Sequence, residues 1–551
     1  MMQRCARLLS ILVLGTTVLS AADAPSASDA PIWNFTRVGE AVLPDGSRDP
    51  QSYSKLAPWP DTDGQYLYSG CYDPAPLFSE SEGRDRCFFT VDLSNPDKPV
   101  RSGMVPLFDP LTSPPPPNDH PVWKSDYPYP NLPARSPCKV NWNDPEIRAG
   151  RQRPECWDPG WNTHTHYVAR GPGNVLAVNL ERYHAFDSGT PRQQSYHGVR
   201  FYDIADRAHP KYLSTWNAPA GDPDPKTGVT PAAGGVHHFN FDGPYLYIGS
   251  EYRGFVSKIL VILDVRDPSH PVEAGKWWVP GQKTPEEDAI RNWEQVEGFS
   301  APIVKLPSGK WRKHVGMHYV VVSNDRAYLS YHQAGLVILD VKDKQHPKLL
   351  AHDDYLVPGA EPDSPDRIQC RAAAGGQDAA CGNAHSAKLV PGRSNLLLMT
   401  DEYFTCPYGH IRMFDVADPT QPKLLSHFAL PENTECSGTK PMQSAHAEKY
   451  PRRGPSTHIG NFWNGNLFIL AWYGAGVRAV DITDPMHLQE VGRYQYDIRS
   501  EFKGNPLADH WVGQDTYDVI IGPGGRLYAS DGTAGLRVLR YTGPGAGPRA
   551  R

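Results

Sequence analysis

The chain has 551 residues, with 55 Lys and Arg against 61 Asp and Glu, a formal charge of −6 and no block of basic residues. That balance argues against nucleic acid or an anionic membrane surface as a partner. With 55 prolines, 49 glycines and 27 tyrosines, the composition favours short strands and many turns over long helices.

Residues 1–21, MMQRCARLLSILVLGTTVLSA, place Arg4 and Arg7 ahead of an apolar run that ends in small residues. This is the pattern of a secretory signal peptide. Its apolar core is too short for a stable anchor, and no later stretch approaches ~18 uninterrupted apolar residues. The expectation is a periplasmic or secreted protein without an integral membrane segment. Removing the signal takes the charge from −6 to −8 and leaves eight of the nine cysteines, an even number that reads as four disulfides in an exported chain.

The mature chain repeats one phrase: FFTVDLSNPDKPV at 88, VRFYDIADRAHPKYL at 199, LVILDVRDPSHPVEA at 260, LVILDVKDKQHPKLL at 336, IRMFDVADPTQPKLL at 411 and VRAVDITDPMHLQEV at 477. Each copy is an apolar strand ending in Asp, a turn rich in Asp and Pro, and a second strand. A further hairpin precedes most copies, giving four strands per unit, which is one propeller blade. A seventh unit, YDVIIGPGGRLYASDGTAGLRVLRYTG, supplies three strands, and NFTRVGEAVLP at 34–44 supplies a fourth. The sequence therefore predicts an all-β, seven-bladed β-propeller closed by its N-terminal strand, with residues 22–551 as one domain.

The recurring GLVIVD-D-P pattern resembles the LVIVD-repeat β-propeller proteins along nearly the whole mature chain. The resemblance implies the fold and leaves the function open, because function resides in a site and not in a fold.

Long blade-to-blade connections, such as 106–160, 279–313 and 354–384, are expected on one face around the axis, where functional loops gather. The eight mature cysteines map to that face, and proximity in the loops pairs Cys71 with Cys87, Cys138 with Cys156, Cys370 with Cys381 and Cys406 with Cys436. Within 283–299, Thr284, Pro285 and Glu287 read as the start of a short capped helix.

Histidines recur where the first, axis-lining strand of successive blades begins: THTHY (163–167), GVHHF (235–239), VGMHY (315–319), GNAHS (382–386) and PSTHI (455–459). One histidine at a strand start is ordinarily a hydrogen-bonded structural residue, whereas five converging on one axis suit a metal. The expected ligands are His166, His238, His318, His385 and His458. His237 stands nearly equal to His238, since neighbours on a strand point opposite ways. Acidic or aromatic residues end the second strands at the same face: Glu181, Glu251, Asp401 with Glu402, Asp531, Tyr331 with His332, and Tyr473. Of these, Glu251, Tyr331 and Tyr473 are the candidates for proton transfer.

An imidazole-rich site without thiolate suits a transition metal such as Cu, Zn, Fe or Ni. The gathered histidines are also similar in arrangement, though not in continuous sequence, to the copper propellers of the selenium-binding protein and methanethiol oxidase family. The expectation is an exported metalloenzyme, oxidoreductase ahead of lyase, acting on a small or oligomeric substrate. A non-catalytic scaffold that binds a protein partner is the alternative. No GxSxG elbow, HExxH helix or phosphate loop is present.

Overall fold

The computed structural model describes residues 31–42, 44–46, 64–70, 87–106, 163–165, 167–182, 198–219, 235–255, 257–279, 282–283, 303–305, 311–313, 316–332, 334–353, 383–402, 408–434, 454–496, 514–531 and 535–547. The signal peptide, His166, the helix expected after Lys283 and every expected cysteine pair lie wholly or partly outside them. Cys87 is described as the first residue of its strand.

The described residues form seven antiparallel blades. Blade three is representative: Val236–Asp242, Tyr245–Glu251, Lys258–Asp264 and Val272–Trp277 pair in chain order. Blades four, five and six repeat that order, starting with the inner strands Tyr319–Ser323, Ala384–Val390 and Gly460–Asn464. Blade one contributes Tyr66–Gly70, Cys87–Asp92 and Val100–Pro106, and blade two is built around Val175–Arg182 and Gly198–Asp203.

Each recurring Asp terminates the third strand by accepting the N–H two residues on. The distances are 2.8 Å for Asp203 and Ala205, 3.1 Å for Asp264 and Arg266, 2.9 Å for Asp340 and Lys342, and 2.7 Å for Asp481 and Thr483. This local bond competes with the ladder and turns the chain. The third strands read as continuous apolar runs, because a blade in the ring is covered on both faces and both sets of alternating side chains are buried. Leu260 and Ile262 pack against blade four, while Ile259 and Val261 pack against blade two.

One buried apolar cluster fills each blade-to-blade interface, including that between blades seven and one, where Leu67 and Val91 meet Ile520, Tyr528 and Val538. The ring is therefore closed. Phe35–Glu40 pairs with Gly535–Tyr541 as the fourth strand of blade seven, as the sequence implied. Arg526 reinforces the junction by gripping both carboxylate oxygens of Asp97 in the blade-one turn, at 2.8 and 2.9 Å. An addition not foreseen is Ile32–Trp33, which pairs with Gln489–Tyr494 as a fifth strand of blade six.

Among the described residues no helix is long and apolar enough to cross a membrane. The α-helix described there is the single turn Pro431–Thr434.

Candidate metal centre

Strand register places the histidines in tiers. Tyr245, Arg326 and Leu396 each face the Asp that ends the neighbouring third strand, so they mark equivalent positions. Four residues on are Gly249, Ser330 and Thr400, which face His238, Tyr319 and Ser386. The residues just before those, His237, His318 and His385, occupy one equivalent position, and His237 and His385 are each the extra residue of a β-bulge. His458 joins them: its N–H donates to the Ala471 carbonyl as that of His318 donates to Ser330. Tyr517, likewise bulged, takes the place in blade seven.

The rings of this upper tier follow one another around the axis. Centroids lie 4.6 Å apart for His237 and His318, 3.9 Å for His318 and His385, and 4.5 Å for His385 and His458. His318, His385 and His458 are buried, while His237 keeps 17% of its side chain exposed. A bulge re-aims a side chain, and in blades three and five it brings His237 and His385 to either side of the His318 imidazole.

His238 belongs to the tier below, equivalent to Tyr167 and Tyr319. Its ring is fully buried between theirs, with centroids at 3.7 and 4.0 Å. Register thus distinguishes the two neighbours that sequence left equal.

A second ring of positions lies two residues beyond Gly249, Ser330 and Thr400. It holds Glu251, His332 and Glu402, and by the same register Glu181 in blade two and Tyr473 in blade six. Glu402 Oε2 is 3.5 Å from His385 Nε2, and Oε1 is 3.9 Å from His458 Nε2. The Tyr473 hydroxyl donates to Glu402 Oε1. Glu181 accepts from or pairs with His237 Nδ1 at 2.5 Å and Lys258 Nζ at 3.2 Å. The His332 ring is 5.0 Å from that of His318. His332 and Tyr473 have left-handed backbones, φ +45° and +25°, a strain that accumulates at functional sites.

Two other expected residues are engaged elsewhere. Tyr331, one position earlier, is buried between blades and donates to Gln282 Oε1; burial pushes its hydroxyl up from the ordinary phenol value. Asp401 pairs with Arg412 Nε at 2.9 Å, and burial raises its carboxyl despite that partner. Glu251 is buried at its register position.

One ligand atom each from His318, His385 and Glu402 lies within 4.8 Å of the others. Atoms bound at about 2.1 Å to one tetrahedral ion are roughly 3.4 Å apart, so an inward adjustment of about 1 Å suffices. The tautomers suit the task. His318 Nδ1 is 2.7 Å from the His385 carbonyl, and His458 Nδ1 bonds to the Tyr517 carbonyl. A carbonyl only accepts, so the proton sits on Nδ1 and the lone pair on Nε2, as in metal-bound histidines. The donor set of neutral imidazole and carboxylate fits a borderline transition metal. Glu402 and Glu181 were visible in the sequence as acidic strand ends, but their neighbours follow only from register.

These features define the class: a seven-bladed β-propeller with a histidine-lined face at its axis. More particularly, it carries LVIVD repeats, which match at residues 234–278 and 318–352. No curated protein sequence matches the chain. Solved structures it is similar to include a periplasmic gluconolactonase of Pseudomonas aeruginosa, at 11% identity over 81% of this chain and 85% of that one, TM-score 0.41. A 6-phosphogluconolactonase-like protein of Bacteroides fragilis matches at 10% identity over 81% and 83%, TM-score 0.38. A chain of the mitotic checkpoint complex matches at 10% over 97% and 98%, TM-score 0.40. No activity carries over at these levels of similarity.

Proposed function

We propose that this chain is an exported metalloenzyme whose ion is held by His318, His385 and Glu402, with His458 alongside. The observation that carries the reading is the convergence of three ligand atoms from two blades within 4.8 Å, with the tautomers of His318 and the neighbouring His458 set by carbonyl partners. An ion there supplies Lewis acidity, and a redox-active one supplies electron exchange; oxidoreductase chemistry on a small or oligomeric substrate is the preferred reading. Tyr473 keeps the Glu402 carboxylate oriented through its hydroxyl. The His237 and Glu181 pair on the same rim would bind substrate beside the ion. The eight mature cysteines are proposed as loop disulfides, in keeping with export.

The test is elemental analysis of protein purified from a periplasm, then reconstitution with Cu, Zn, Fe or Ni and desalting. Stoichiometric retention is expected. Protein that retains none overturns the reading in favour of a non-catalytic scaffold.

A further inference from the structure

The seam between blades five and six carries a reciprocal pair of side-chain bonds beside the candidate ligands. Thr400, two residues before Glu402, donates its hydroxyl to the His458 carbonyl on the next blade at 2.6 Å. Thr457, the residue before His458, donates its hydroxyl back to the carbonyl of Asp401, the residue before Glu402. The Thr457 N–H also reaches the Gly409 carbonyl on the blade-five side at 3.2 Å. A hydroxyl has one proton to give, so with that of Thr400 committed to the carbonyl, Ser386 Oγ, 2.7 Å away, is the donor between the two hydroxyls. Ser386 follows His385, and Ser386, Thr400, Asp401 and Thr457 are all buried.

Strand register shows that the fold does not demand these hydroxyls. Gly249 holds the position of Thr400 in blade three, and His238 and Tyr319 hold that of Ser386 in blades three and four. The position of Thr457 carries the apolar residues Val236, Met317 and Ala384 in blades three to five, each fully buried. In blades two and seven it carries Thr165 and Thr516, whose hydroxyls bond within their own blades, to the Asn179 carbonyl at 2.9 Å and Asp531 Oδ2 at 3.1 Å. Among the described residues, the hydroxyl at this position that crosses a seam is that of Thr457, beside the carboxylate that stands between two imidazoles. Within blade five, Asn383 accepts the Glu402 N–H at 3.0 Å and donates Nδ2 to the Glu402 carbonyl at 2.7 Å. Asn383 lies two residues before His385, so blade five fixes Glu402 relative to His385, and the threonine pair fixes both relative to His458.

We propose that Thr400 and Thr457 are positioning residues of the metal centre, a clamp across the seam that holds His385, Glu402 and His458 at the spacing one ion requires. The inference rests on the metal reading above. Both hydroxyls are committed to backbone carbonyls, so they act through the ligands and not as ligands. Ligand groups have to be held within about 0.5 Å of their working geometry. Glu402 Oε1 is 3.9 Å from His458 Nε2, so a slip of one strand along the seam would carry one of the two out of reach of a shared ion. Loss of such supporting bonds typically costs roughly 10–100-fold in metal affinity.

The experiment titrates the full mature protein, freed of metal by chelator and dialysis, with Co(II), whose visible d–d bands report the geometry of its ligands. Thr457→Val should weaken Co(II) binding at least ~10-fold and shift those bands. Val236 and Ala384 hold the same position in blades three and five, so the ring should accept Thr457→Val, with Thr457→Ala as a second variant and melting curves to confirm folding. Thr400→Val should act in the same direction, and Thr400→Ser, which keeps the hydroxyl, should restore wild-type affinity and bands. Ser330→Ala, at the Thr400 position of blade four, controls for loss of a buried hydroxyl and should leave both readings unchanged. Wild-type protein that binds no Co(II) overturns the metal reading and the clamp with it. Wild-type protein that binds Co(II), while the folded Thr457 variants bind it with equal affinity and unchanged bands, overturns the clamp and leaves the metal centre standing.

Discussion

The carboxylate of Glu402 stands between imidazoles of two blades, with Oε2 3.5 Å from Nε2 of His385 and Oε1 3.9 Å from Nε2 of His458. A carboxylate so placed either ligates a shared ion or holds two imidazolium groups, and the two roles separate experimentally. Glu402→Gln keeps the shape and removes the charge. If the site is a metal centre, this variant and His318→Ala or His385→Ala should each weaken metal retention by at least ~10-fold. His270 and His346 provide controls. They sit in turns, exposed, bonded to Asp267 at 2.8 Å and Asp343 at 3.0 Å, so replacing either with Ala should leave bound metal unchanged. Equal loss in the controls removes the assignment.

His237 and His238 should behave differently although adjacent. His238 fills the space between Tyr167 and Tyr319, so His238→Ala should open a cavity and cost about 2–4 kcal/mol of stability by analogy with large-to-small core changes. Metal stoichiometry of the folded fraction should persist. A variant with wild-type melting but no metal would move His238 into the ligand set.

Fold was legible because blades announce themselves locally: the third-strand Asp caps its own turn through backbone contacts two residues away, which any reader of the sequence meets seven or so residues at a time. Closure by Phe35–Glu40 was legible for the same reason, as the missing unit of a count. The site was only half legible. That histidines gather at inner-strand starts is a sequence fact, but whether His237 or His238 joins them depends on a one-residue bulge between Val236 and His238, and a bulge leaves no fixed mark in composition. Tyr331 looked equivalent to Tyr473, yet it lies one register position earlier and its hydroxyl turns to Gln282.

Ring closure has a graded prediction. Deleting residues 31–40 removes both the fourth strand of blade seven and the added strand of blade six, so the cooperative melt of the whole ring should fall to lower temperature. Asp97→Asn should cost at most about 1 kcal/mol, because the Arg526 pair is partly exposed and such pairs are screened. The hydrogen bond from Arg526 lowers the Asp97 carboxyl below its ordinary 3.8, so its contribution is full above that value and disappears as pH falls through the lowered one. Denaturant titrations of wild type and Asp97→Asn should therefore differ at pH 7, with the difference shrinking as pH falls below 3.8.

Lys388 imposes a pH dependence of the opposite sense at the alkaline end. Its ammonium is held at about 8 in the folded ring, by burial, against an ordinary value of 10.5. Below pH 8 both folded and unfolded chains carry the proton and the folded state bears the full cost of an enclosed charge. Between 8 and 10.5 the unfolded chain retains a proton that the folded chain has shed, so stability should rise with pH through this window, by at most ~1.4 kcal/mol per pH unit for one group. Above about 10 the raised hydroxyls of buried tyrosines such as Tyr541 act in the other direction, because the unfolded chain then loses protons that the folded one keeps. The informative range is therefore pH 7 to 9.5, and the informative quantity is the difference in unfolding free energy between wild type and Lys388→Met across it. Wild type should gain on the variant as pH rises. A difference that is flat over that range would place the Lys388 ammonium at its ordinary value.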